Sequence, residues 1–135
     1  MSALTLGSFV VDVPDGFDST SLSEREASLT SVSPLLEGRL SLHARTLDRG
    51  AWGVANKAAS EKVALGATIV DAAMQGKSSF GFWLVGPGSA SRGAVFAYEN
   101  QDEVLLLQLR GLVATSEADA LVEELTAGVR GASAS

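Results

Sequence analysis

Residues 103–112 read "EVLLLQLRGL", and Val104 to Leu107 are apolar at consecutive positions. Such a run predicts a strand whose two faces are both covered. Three segments upstream alternate like strands: "ATIVDAAM" (67–74), "SFGFWLV" (79–85) and "GAVFAYE" (93–99). They are separated by the turn-rich segments "QGKS", "GPGSAS" and "NQD". The second half of the chain therefore predicts a series of antiparallel strands.

The first half begins with another strand pattern. In "SFVVDV" (8–13) the apolar residues Phe9, Val11 and Val13 alternate, and the strand stops at a Pro14-Asp15-Gly16 turn. The segments "EASLTSVS" (26–33) and "GRLSLHAR" (38–45) alternate around a few apolar residues and predict a hairpin with a hydroxyl-rich outer face. The apolar residues of this hairpin are Ala27, Leu29, Leu40 and Leu42.

Two segments change to a helical period. In "DRGAWGVANKAASEKVALG" (48–66) the predicted buried stripe is Trp52, Ala55, Ala59 and Val63, and Gly66 is the predicted stop. In "SEADALVEELTAGVR" (116–130) Ser116 and Asp119 form a capping box. The apolar stripe of this closing helix is Ala118, Leu121, Val122, Leu125 and Val129.

The order of these elements predicts an α+β fold, with a mostly antiparallel sheet of six or seven strands and two helices packed on it. We expect residues 1–130 to form one domain and residues 131–135 to form a disordered tail. The chain has 135 residues, of which 46% are hydrophobic and 19% are charged, as in a globular protein.

The formal net charge of −6 argues against nucleic acid and anionic membrane surfaces as partners. Most of the excess acid lies in the second half, where the acidic residues form either solvated faces or a surface for a basic partner.

Cysteine is absent. The N-terminal segment lacks the basic region of a signal peptide, and no apolar run is long enough to span a bilayer. We therefore expect a soluble, cytoplasmic protein.

Gly76-Lys77-Ser78 matches the end of a phosphate-binding loop. The first glycine of that motif would stand at position 71, where this chain has Asp71. The motif must also open a helix, whereas "SFGFWLV" alternates like a strand. The tripeptide is therefore interpreted as a hairpin turn.

No other motif predicts a catalytic, cofactor-binding or metal-binding residue. "GPGSASRG" (86–93) is interpreted as a loop between strands, with anion binding beside Arg92 as the alternative. His43 is the single histidine and lies on a polar-alternating strand, so it is interpreted as structural. Asp12, Asp15 and Asp18 lack the spacing of a calcium loop.

The aromatic strand "FGFWLV" (80–85) is the segment that the sequence favours as a candidate binding site. Phe82 and Leu84 point to one face and Trp83 and Val85 to the other, so the strand is either central or partly an interface. Aromatic residues are frequent in binding hot spots. The predicted partner-binding residues are Phe82, Trp83, Val85 and Tyr98.

The opening "GSFVVDVPDGF" (7–17) resembles the first strand and turn of PsbP-like proteins. This superfamily includes the bacterial DcrB group and the Eag-type chaperones of type VI secretion effectors, and its Pro-x-Gly-aromatic turn is matched by Pro14, Gly16 and Phe17. The later order of helix, strands and closing helix is also similar. The strand after the turn departs from the family, because it lacks a strong apolar pattern. The ending from "LLLQLRG" onward is similar to that of immunity proteins against type VI lipase effectors.

The resemblance implies a non-catalytic protein-binding module, such as a bacterial secretion-system chaperone or adaptor, with an effector immunity protein as one alternative. Another alternative is a small-molecule binder or enzyme with a pocket between helix and sheet, lined by Trp83, Tyr98 and His43. A structural component of a larger assembly is a third. The expected partner is another protein or a second copy in a homodimer, with no cofactor, nucleic acid or membrane.

Overall fold

The computed structural model describes residues 2–32, 35–45, 50–74, 79–85, 92–100, 102–111 and 116–131. It shows an α+β fold with a seven-stranded antiparallel sheet, a three-stranded sheet and two helices. In chain order the elements are β1 (Ser2–Leu6), β2 (Phe9–Val13), β3 (Phe17–Ser21), β4 (Glu26–Val32), β5 (Leu35–Ala44), α1 (Ala51–Ala64), β6 (Thr68–Met74), β7 (Ser79–Val85), β8 (Arg92–Asn100), β9 (Glu103–Gly111), α2 (Ser116–Ala127) and β10 (Val129–Gly131).

The larger sheet has the strand order β3-β4-β5-β9-β8-β7-β6, with every neighbouring pair antiparallel. Its central strand β9 pairs with β5 on one side and β8 on the other. Val104 to Leu107 are all buried, which confirms that both faces of this strand are covered. Burying an aliphatic side chain of this size contributes about 1.5–3 kcal/mol, so β9 anchors two core layers at once.

Helix α1 covers one face of the sheet over β7, β8 and β9. Its buried residues are Ala51, Val54, Ala55, Ala58 and Ala59, and the predicted stripe was wrong at both ends. Trp52 is 56% exposed and Val63 is 44% exposed, because the face that packs on the sheet is centred on Ala51, Ala55 and Ala58, and successive residues of a helix are rotated by about 100°. Gly66 has φ of 105° and ends the helix as predicted.

The other face of the large sheet is covered by the small sheet, of order β1-β2-β10, together with α2. Phe9, Val11 and Val13 of β2 are buried there as the alternation predicted, and they share a core with Val122 and Leu125 of α2. The Pro14-Asp15-Gly16 turn also forms as predicted, with the Phe17 N–H donating to the Pro14 carbonyl at 3.3 Å.

Three short strands were not predicted: β1, β3 and β10. Val129, which was assigned to the stripe of the closing helix, lies instead in β10, because α2 ends at Ala127 and Gly128 turns the chain toward β2. A Cβ on Gly128 would lie 2.6 Å from the Asp12 carbonyl oxygen, so this approach requires glycine. Gly131, the first residue of the predicted tail, pairs with Phe9, and residues 132–135 lie outside the described ranges.

Two polar contacts fix the position of the small sheet on the large one. The Ser8 N–H donates to Glu103 Oε1 at 2.8 Å, and Asn100 Nδ2 donates to the Ser8 carbonyl at 2.9 Å. The preceding Gly7 has φ of 55°, and a Cβ there would lie 2.5 Å from Leu42 Cδ2. Glycine therefore permits both the turn and its close approach to β5.

The Gly76-Lys77-Ser78 tripeptide and most of the "GPGSASRG" segment lie outside the described residues. Beyond the tripeptide the chain continues as strand β7 from Ser79, as the alternation predicted. None of the described helices is long and apolar enough to cross a membrane.

Candidate functional site

The four predicted partner-binding residues do not form one surface. Phe82 packs toward α1 with the cluster that contains Leu84 and Val95. Trp83 packs on the opposite face against the core shared with the small sheet, and Tyr98 lies within that core. Val85 is partly buried. It lies two positions after Trp83 on the same strand, so both side chains point to the same face.

Trp83 and Tyr98 are mainly packing residues. The Trp83 ring meets the Phe96 ring edge to face, with centroids 5.7 Å apart. Gly81, directly opposite Phe96, leaves the space that this ring occupies, since a Cβ there would overlap the Phe96 ring. Tyr98 is only 7% exposed and its hydroxyl donates to the Thr126 carbonyl at 3.4 Å, so a surface contact through Tyr98 does not fit.

The pocket lined by Trp83, Tyr98 and His43 is not formed. His43 is opposite Val104 of the α1-side cluster, whereas Trp83 and Tyr98 belong to the other face of the sheet. His43 is exposed, and its Nε2 lies 2.9 Å from Ser41 Oγ. Among the described residues, no group of three or more His, Asp or Glu side chains is arranged to hold a metal ion.

His43 and Ser41 belong to a hydrophilic part of the large sheet that α1 leaves uncovered. Ser28, Thr30 and Ser41 lie here on β4 and β5, which confirms the hydroxyl-rich outer face predicted for that hairpin. Two ion pairs lie on the same face of the sheet, Arg39–Glu26 at 3.9 Å between β5 and β4, and Arg110–Glu37 at 3.4 Å between β9 and β5. The side chains of both pairs are about half exposed or more, so this face is mainly a solvated surface, and exposed pairs contribute little to stability.

An apolar surface lies elsewhere, at the junction of α1 and β6. Its residues, here called the junction patch, are Val63, Leu65, Ile69 and Val70. They are 44%, 76%, 42% and 51% exposed, respectively. All four fall within eight successive positions, which brings the end of the helix, its turn and the start of the strand together. Clustered exposed apolar residues mark interaction sites more often than single ones do.

The junction patch lies beside the aromatic strand that the sequence singled out. β6 is the outermost strand of the described sheet and pairs with β7, where Ile69 is opposite Leu84 and Ala72 is opposite Phe82. Ile69 therefore points to the α1 face, on the same side as the half-buried Phe82. The register shifts between Ile69 and Asp71, so Val70 forms a β-bulge.

The sequence patterns predict helix α1 and strand β6 but not the junction patch between them. Ile69 and Val70 are consecutive apolar residues, a pattern that resembles a strand with both faces covered. Strand order, which no local pattern gives, places them at the sheet edge instead. The sequence signal that could have indicated the site is Leu65, a large apolar residue immediately before the predicted helix stop at Gly66.

The charges around the junction patch are mixed. Lys62 and Glu61 are exposed in the last turn of α1, and Asp71 is exposed in β6. Another exposed large apolar residue, Leu22, follows β3 at the opposite edge of the large sheet. Leu22 is 48% exposed but its chain neighbours are polar, so it provides a natural comparison for the junction patch.

No protein-family model matches the sequence, and no curated protein gives a significant match. The fold is similar to that of a Bacteroides thetaiotaomicron VPI-5482 protein with a crystal structure at 1.50 Å resolution, with a TM-score of 0.51 and 10% sequence identity. The match covers 92% of this chain and 45% of that protein, so this chain spans less than half of its structural neighbour. At this identity the similarity shows the fold alone.

Proposed function

We propose that this chain is a non-catalytic protein-binding module that docks another protein through the junction patch. The observation that carries the proposal is the exposure of Val63, Leu65, Ile69 and Val70 on neighbouring elements. Most large apolar side chains of the described residues are packed in the two core clusters, so this concentration of exposed ones is unusual for a solvated face. An apolar centre bordered by charges is the usual arrangement of an interface.

The partner that fits is a protein with its own apolar surface bordered by basic side chains. The apolar centre matches the junction patch. A basic border is favoured because Glu61 and Asp71 outnumber Lys62 beside the patch, and because the net charge of −6 steers cationic surfaces toward this chain. The same charge disfavours nucleic acid.

The resemblance to PsbP-like proteins gives the proposal a more specific form. In that form the chain is a cytoplasmic chaperone or adaptor of a bacterial secretion system, and an effector immunity protein is the alternative. Both roles require a stable complex with one protein and no chemistry on it. The two roles differ in the partner that a cross-linking experiment would identify.

The test places a photoreactive benzophenone side chain at residue 65 or at residue 22 and illuminates each protein in lysate of the native host. We expect residue 65 to cross-link one protein and residue 22 to leave it uncaptured, because only residue 65 lies in the junction patch. Capture of the same protein from both positions, or of none from either, would contradict the proposal.

A further inference from the structure

Strand β6 has the properties of an edge that pairs with another strand. It is seven residues long, lies at the end of the large sheet, and carries the exposed apolar residues Ile69 and Val70. An edge of this kind presents backbone N–H and C=O groups to any extended chain that approaches it, including the same strand of a second copy. Natural proteins commonly obstruct such edges.

A hydrogen bond in the middle of β6 obstructs this edge. The Ala72 N–H donates to Oδ1 of Asp71 at 2.8 Å, and both residues are exposed. An incoming strand would have to displace a charged acceptor from this amide before it could pair there, and hydrogen bonds to charged acceptors are the stronger ones. The Asp71 side chain thus occupies one backbone donor of the edge strand.

The bulge at Val70 acts at the neighbouring position. Because the register shifts between Ile69 and Asp71, the backbone of β6 is irregular where the exposed apolar side chains lie. A bulge bends and twists a strand locally, which interrupts the regular ladder that an added strand requires. The hydrogen bond and the bulge therefore obstruct the same short segment.

We infer that Asp71 is a gatekeeper that prevents β6 from pairing with β6 of a second copy of this chain. The same strand on two copies would pair antiparallel about a two-fold axis, and its apolar residues would be shared across the contact. The opposite edge strand, β3, exposes only polar residues from Asp18 to Ser21, so it offers no comparable apolar contact. This inference concerns self-association and does not depend on the proposed function.

The test compares the self-association of purified Asp71→Ala, Asp71→Asn and Asp18→Ala with that of wild type by sedimentation velocity over a range of concentrations. Asp18→Ala is the matched control, because it removes the same charge from the other edge of the sheet. Asp71→Asn removes the charge but keeps a side-chain oxygen that can accept the Ala72 N–H. We expect Asp71→Ala to dimerise at a concentration at least about tenfold lower than the other three proteins.

A second measurement follows the Ala72 amide by hydrogen exchange in dilute samples, where dimers are rare. We expect this amide to exchange faster in Asp71→Ala than in wild type, with far-UV circular dichroism unchanged. The inference is overturned if Asp71→Ala associates no more than Asp18→Ala, or if Asp71→Asn associates as strongly as Asp71→Ala. It is also overturned if the exchange of the Ala72 amide is unaffected. None of these results bears on partner capture at residue 65.

Discussion

The Ser31 hydroxyl is a buried polar group that weakens the core. Ser31 is 1% exposed on β4, and its Oγ finds no hydrogen-bond partner in the part of the chain that the structure describes. An unsatisfied buried group costs about 1–3 kcal/mol. We expect Ser31→Ala to raise the free energy of unfolding by about 1 kcal/mol, measured by urea denaturation.

Thr126 provides the matched comparison for Ser31, because its hydroxyl is also buried but donates to the Glu123 carbonyl at 2.9 Å. Thr126→Val keeps the shape of the side chain and removes that bond, so it should lower the free energy of unfolding by about 1 kcal/mol. A loss of stability in Ser31→Ala as large as that in Thr126→Val would show that the Ser31 hydroxyl is bonded in solution.

Tyr98 links the core to the pH dependence of stability. Burial raises the pKa of its phenol well above the ordinary value of about 10. The unfolded chain loses this proton near pH 10 while the folded chain keeps it. The free energy of unfolding should therefore be insensitive to this group below about pH 9 and fall as the pH rises above about 10.

Tyr98 is the single tyrosine, so its ionisation can be followed by absorbance at alkaline pH. We expect the phenolate signal to appear only together with unfolding, and we expect Tyr98→Phe to remove the tyrosine contribution to the fall in stability. A phenolate signal with a midpoint near pH 10 in a protein that keeps its native circular dichroism would show that Tyr98 is accessible to solvent.

At the scale of elements, α1 depends on a cap from another strand. Its N-cap residue, Gly50, has no side chain, and the Ala51 N–H donates instead to Glu99 Oε1 on β8 at 2.7 Å. The other carboxylate oxygen of Glu99 meets Arg45 Nε at 3.1 Å. The negative charge of this carboxylate also interacts favourably with the positive end of the helix dipole. Glu99 thus joins the ends of β5 and β8 to the start of α1.

We expect Glu99→Ala to lower the free energy of unfolding by about 1–2 kcal/mol, as the loss of a helix cap does. Gly50→Ser should also destabilise the wild-type chain, because its Cβ would displace Glu99 Oε1 and so disturb the bond to the Ala51 N–H and the ion pair with Arg45. In the Glu99→Ala background, however, Gly50→Ser should restore stability, since no carboxylate is left to displace and serine is a good N-cap. Thermal melts of the two single variants and the double variant measure this coupling.

Glu61→Ala, on the exposed side of the same helix, controls for loss of an acidic residue from α1 and should leave the melting temperature nearly unchanged. If Gly50→Ser has the same effect with and without Glu99, the two residues do not interact and the cap is not as described.

The elements that could be predicted from sequence are those whose pattern is complete within the segment. β2 has apolar residues at alternate positions 9, 11 and 13, β9 is apolar throughout its centre, and α1 and α2 have helical periods, so the local pattern was sufficient. β3 and β10 could not be predicted in this way. β3 is polar after Phe17, and Val129 continues a helical spacing, so pairing with distant strands decides their structure.

The candidate site was predicted less well than the fold, for a related reason. Alternation along β7 correctly separates Phe82 from Trp83, but it does not say which layer covers each face. The small sheet and α2 cover the face of Trp83 and Tyr98, and both depend on contacts between distant segments. The junction patch likewise depends on β6 being an edge, which follows from the order of all seven strands.

At the scale of the whole molecule, the two faces of the large sheet differ in how far they are covered. One face is buried against the small sheet and α2, and it contributes most of the larger core cluster. The other is divided between α1, a hydrophilic area on β4 and β5, and the junction patch beside β6. Exposed apolar area costs solubility, so its concentration at one edge is consistent with a binding role.

The affinity of the purified partner for three chains tests this account most directly. Isothermal titration calorimetry would compare wild type, Leu65→Lys in the junction patch and Leu22→Lys at the opposite edge of the sheet. We predict that Leu65→Lys raises Kd at least about tenfold, while Leu22→Lys stays within about twofold of wild type. A Leu65→Lys protein that binds as tightly as wild type would contradict the account.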